Sequence, residues 1–222
     1  MDIKVKQALT AAVNSYAEAE GIDGKAVLQG LESAFELEAP FMEKVSAMDS
    51  VFDDNMRFDE LREYSFDLLM INFFAEDVQK LEEDYLESAE WEAIEEETID
   101  RGSELLNILL YLKECADDEI EPSLDDFLKE FLLVEEDEFQ DEYNIYEKVI
   151  ANQILVESDY SEIAKVSQSL EDDEELAELF YPLVSFFSEQ KPDGGQLAEY
   201  AEHAPNKSLD VALLQLITNF NI

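Results

Sequence analysis

The chain has 222 residues, 57 of them acidic and 14 basic, and a formal net charge of −43. Its 14 Phe and 9 Tyr exclude wholesale disorder, and 6 Gly with 5 Pro exclude a collagen-like or low-complexity chain. The single cysteine, Cys115, excludes a disulfide scaffold and fits a reducing compartment.

Apolar residues recur at helical spacing along most of the chain. Ile3, Leu9, Ala12, Val13 and Tyr16 predict a first helix, and Gly21 to Gly24 a turn. Val27, Leu28, Leu31 and Phe35 predict a second helix. Pro40 suits the first turn of a third, which carries Phe41, Val45, Met48 and Phe52. The segment 58–75 is apolar on nearly every face, as is the core of 103–116, so both are expected to be buried helices. Ser103 can open the second of them. Ser123 with Asp126, and Asp159 with Glu162, read as helix N-caps. Pro182 lies inside an apolar run and predicts a kink or restart near Phe180–Tyr181. Lys191-Pro-Asp-Gly-Gly reads as a loop, and Pro205 separates a short helix, 197–204, from a final apolar one.

No strand or hairpin signal stands out, and the apolar runs are too unevenly spaced for a solenoid. The expected fold is all-α, an irregular multi-helix bundle or array of roughly ten helices. Residues 1–222 are expected to form a single domain, with two helical halves meeting near 117–122.

The charge is concentrated. Residues 1–30 hold four acids and three bases, residues 191–222 four acids and two bases, and the 160 residues between hold 49 acids and nine bases. The stretch 117–142 has 13 acids and one base, Lys129. On about 10,000 Å² of folded surface, the whole chain carries roughly half the charge density of duplex DNA. Such a surface repels nucleic acid and anionic membranes and attracts basic proteins, polyamines and cations. The uncharged apolar runs Val211 to Ile222 and Leu179 to Ser188 are shorter than the roughly 18 residues a membrane-spanning helix needs. With no apolar signal region after Met1, cytoplasmic residence is the expectation.

Catalytic motifs are weak. His203, the one histidine, has no second ligand at metal-site spacing and reads as a surface residue near a helix end. Nearby carboxylates should raise the pKa of Cys115, the reverse of an activated thiol. The phosphate-binding loops and EF-hand spacing are missing. Glu92 with Glu95, and Glu114 with Asp117, are carboxylate pairs that share helix faces and could hold Mg²⁺ in an all-α nucleotide pyrophosphohydrolase, the rival reading. Pairs of this kind are common by chance in so acidic a chain.

The reading that remains is a non-enzymatic binding protein without a cofactor, engaging a basic protein partner as an inhibitor, a mimic of DNA charge, an immunity protein or a chaperone. Aromatics interleave with acids at Phe127, Phe131, Phe139, Tyr143 and Tyr146. The plain interpretation turns these rings to the core. The functional one exposes Phe139 and Tyr143, sharing a helix face inside an acidic rim, with a break near Glu136–Asp137. Glu135, Glu136, Glu138, Phe139, Asp141, Glu142 and Tyr143 are therefore the candidate partner-binding residues. A third reading is a helical scaffold whose acidity serves solubility alone.

Overall fold

Asp2 begins the fold by capping helix α1 (Ile3–Glu20), its carboxylate accepting from the Lys4 and Val5 amides at 2.8 and 3.2 Å. Gly21 ends the helix in the left-handed conformation at φ 65°. The computed structural model describes residues 1–76, 80, 83–131, 133–135, 138–139, 145–170 and 176–221, with the backbone alone at 83, 130, 131, 133–135, 138 and 139.

Among these residues the architecture is a thirteen-helix array. Helices α2 (Lys25–Phe35) and α3 (Phe41–Asp54) pack closely enough that a Cβ added at Gly30 would lie 2.9 Å from Val51. Helix α4 (Arg62–Glu76) is buried from Tyr64 through Phe74, as its all-round apolar sequence requires. It packs on α7 (Leu105–Asp117), the second expected buried helix. Between them lie the four-residue α5 (Glu83–Leu86) and α6 (Ala89–Thr98).

After α7, Ser123 caps the short α8 (Leu124–Asp126), accepting from the Asp126 amide at 3.1 Å. A wider helical turn then spans Phe127–Phe131. Helices α9 (Glu147–Ala151), α10 (Tyr160–Ser167), α11 (Ala177–Ser188), α12 (Gly194–His203) and α13 (Lys207–Phe220) complete the array. The final helix lies along the first, so the two ends of the chain share one interface. Asp159 caps α10 through the Glu162 amide at 2.9 Å, and Asp193 forms a capping box with Gln196. The expected loop at 191–195 is therefore shorter than its Gly-Gly suggests, because Gly194 and Gly195 already begin α12.

Two further expectations are corrected. Of the kink or restart expected near Phe180–Tyr181, the restart does not occur, since helix α11 continues from Ala177 to Ser188. The amide lost at Pro182 would have paired with the Glu178 carbonyl near the helix start, so a single bond is forfeited while the surrounding apolar side chains stay buried. A short antiparallel ladder, β1 (Leu133–Glu135) with β2 (Glu138–Phe139), also stands where no strand was expected.

One buried apolar cluster runs from Val5 to Phe220 and draws on residues from both sides of 117–122. No described helix is long and apolar enough to cross a membrane.

Candidate protein-interaction surface

The backbone places Glu135 on β1 and Glu138 and Phe139 on β2, with Leu133 registered against Phe139 and Glu135 against Glu138. Phe139 is therefore on a strand, and the helical spacing used to pair it with Tyr143 does not apply. Glu136, Asp141, Glu142 and Tyr143 lie outside the described residues, as does the break expected at Glu136–Asp137. Of the interleaved aromatics, Phe127 and Tyr146 face the core. Phe127 meets Tyr146 edge-on at 5.7 Å and stacks with Phe187 at 6.1 Å.

An acidic surface whose side chains are described from Asp84 onward lies earlier, on α5, α6 and the turn that follows. Residues 83–100 contain nine acids and no base. The eight carboxylate side chains from Asp84 to Asp100 are all exposed, and none makes an ion pair or hydrogen bond with a described residue. Helix α6 is held by a narrow stripe, with Ile94 and Thr98 buried and Trp91 half-buried. Trp91 packs on Phe74 at 5.4 Å and Tyr85 at 6.2 Å, and its amide is capped by Ser88 at 3.2 Å. Glu90 and Glu92 favour the positive helix start. Glu95, Glu96 and Glu97 oppose the negative helix end, where the last turn has no base.

Glu92, Glu95, Glu96, Thr98 and Ile99 line a cleft of about 660 Å³. Ile99 is 81% exposed, the largest exposure of any described large hydrophobic residue.

Immediately beyond α6 the acids are paired. Arg101 makes two bonds of 3.1 Å to the Asp49 carboxylate and a third of 3.1 Å to Glu63. Arg62 reaches Asp53 and Asp59 at 2.8 Å each and shares Asp49 at 3.3 Å. The two guanidinium groups also lie over aromatic rings, Arg101 over Phe66 at 5.0 Å and Arg62 over Phe52 at 5.5 Å. The sequence reading missed this clamp. Its signal was that only three arginines serve the whole chain.

The clamp positions a buried carboxyl. Gly102, at φ 86°, donates its amide to Glu63 at 2.8 Å, and an added Cβ there would lie 2.7 Å from Asp67 Oδ1. Asp67 is 0% exposed and accepts from the Ser103 amide at 3.0 Å and hydroxyl at 2.6 Å. Burial pushes its pKa up to about 8 despite these bonds, and Glu63 and Glu104 add to the rise. Burial likewise raises Asp210 to about 7.

The carboxylates of the rival reading do not assemble. Glu92 and Glu95 stand on α6, while Asp117, at the end of α7, pairs with Lys113 at 2.9 Å. Among the described residues no three His, Cys, Asp or Glu side chains are placed to hold a metal. Cys115 is buried at 1% exposure, and desolvation raises its pKa. His203 is half-buried in the last turn of α12. Compared with family models, curated proteins and solved structures, the chain matches none.

Proposed function

We propose that the chain is a binding protein without catalysis of its own and that its acidic surface engages a basic protein partner. The observation that supports this reading is the run of eight exposed carboxylates from Asp84 to Asp100 without a cation to pair with among the described residues. A net charge of magnitude about 2 to 8 keeps a small domain soluble, and charge beyond that strains the folded state by self-repulsion. A field of this strength and sign steers basic partners and repels nucleic acid and anionic lipid. Glu135, Glu136, Glu138, Asp141 and Glu142 extend the same chemistry and are proposed as a second part of the steering field.

The test is chromatography of the source cell's proteins on the immobilised chain, loaded at low salt and eluted with a NaCl gradient. The proposal expects at least one basic protein to elute later than its net charge alone dictates. A surface that is acidic for solubility alone would release every protein in order of net charge, which would favour the scaffold reading.

A further inference from the structure

We infer that the outward face of α6 formed by Glu92, Glu95, Glu96 and Ile99 is a docking surface for a protein segment that presents Arg or Lys side chains around one aliphatic residue. This rests on the proposed function and assigns the surface through which it acts.

The four residues stand at i, i+3, i+4 and i+7 and so share one face of the helix. The core contacts use a neighbouring stripe, Trp91, Ile94 and Thr98, which leaves this face without a partner among the described residues. Its composition specifies what covers it. Three carboxylates and the negative end of α6 call for cations, and the helix supplies none in its last turn. Ile99 stands 81% exposed in the same cleft. Ile154 and Ile3 are also well exposed, at 70% and 69%, but Ile99 is the most exposed and shares its cleft with three carboxylates, so it can serve as an apolar anchor beside a charged rim. A purely electrostatic site would need the acids alone, and a purely apolar one would not be ringed by them. A basic segment with a central aliphatic side chain satisfies both features.

The face is also held in place before binding. Ser88 and the packing of Trp91 on Phe74 and Tyr85 fix the helix start. Two residues past Ile99, Arg101 is fastened to Asp49 and Glu63, which fixes the exit. Little ordering cost then falls on this side of the interface.

The test uses the full chain and two synthetic basic peptides of equal length and charge, one with leucine at its centre and one with glutamine. Trp91 is the only tryptophan, so its emission reports events on α6. Binding is measured by that emission and by calorimetry, and circular dichroism verifies the fold of each variant. The leucine peptide is expected to bind about tenfold more tightly, as burial of one aliphatic side chain allows. Ile99→Ser should abolish that preference. The triple variant Glu92→Gln, Glu95→Gln, Glu96→Gln should weaken both peptides about tenfold or more. Carbodiimide cross-linking should join peptide lysines to Glu92, Glu95 or Glu96.

Equal affinities of the two peptides for the unaltered chain would overturn the inference. So would unchanged affinity in the triple variant combined with loss of binding when Glu135, Glu136, Glu138, Asp141 and Glu142 are neutralised. That second result would leave the proposed function standing and move its surface. Failure of both peptides to bind at low salt, together with elution of cell proteins strictly by net charge, would overturn both readings.

Discussion

The carboxylates of Asp49, Asp53, Asp59 and Glu63 all touch Arg62 or Arg101, whereas those from Asp84 to Asp100 touch no cation among the described residues. The two groups are joined by the turn at Asp100–Gly102. In the first, acidity is part of the fold, because each charge is held by a planar donor that also covers an aromatic ring. In the second it opposes the fold: like charges crowd one helix and gather at its negative end. Net charge alone does not say what an acid is for. Removing a clamped acid's partner should damage stability, and removing an unclamped acid should improve it.

The largest expected effect concerns the carboxyl beneath the clamp. Asp67 holds its proton up to about pH 8 when folded, against an ordinary value of 3.8. Between those values the folded chain binds a proton that the unfolded chain has released, so stability falls as pH rises. The contribution is fully present below the unfolded value and is lost as pH rises through 8. Asp210, raised to about 7, adds to the same slope. Urea unfolding from pH 5 to 8.5 should show a decline of several kcal/mol, and Asp67→Asn should flatten it. The crowded surface acids are not needed for this slope, since desolvation is the first cause at both groups.

Next in size is the clamp itself. Arg101 is 21% exposed, and Arg101→Ala leaves Glu63 without its cation and Asp49 with Arg62 alone. A loss of about 3 kcal/mol is expected by urea denaturation. Gly102→Ala should cost about 2 kcal/mol, from the left-handed backbone and the crowding of Asp67. A loss below about 0.5 kcal/mol in Arg101→Ala would erase the distinction between the regions. The smallest effect is on α6, where Glu95→Gln, Glu96→Gln and Glu97→Gln together should stabilise the fold by about 0.5 kcal/mol at low salt. NaCl should shrink that gain by screening the repulsion.

Much of the scaffold was legible because its signals are local. The apolar run of α4, the stripe of α1 and the caps at Ser123 and Asp159 each lie within a few residues of what they determine. The clamp was not legible, because Arg101 and Asp49 meet across 52 positions and chain spacing carries no trace of that. Pro182 does not interrupt α11, because a buried apolar helix tolerates one lost bond, which a purely local rule does not weigh. Phe139 misled because an acid-rich stretch has poor strand propensity yet its backbone pairs with β1. The site was sought where acids are densest, at 117–142. Over residues 83–100 the sequence did carry the relevant pattern, nine acids without a base and an isoleucine near their end, but no periodicity reveals which charges stay unpaired after folding.

We propose that the α6 acids serve encounter with a basic partner. The most direct measurement of this is the association rate of the leucine-centred basic peptide against ionic strength, for the unaltered chain and for the Glu92→Gln, Glu95→Gln, Glu96→Gln variant. The account predicts a rate that falls steeply with salt in the first and a much shallower fall in the second, with dissociation changed less than association. Identical salt slopes in the two proteins would contradict it.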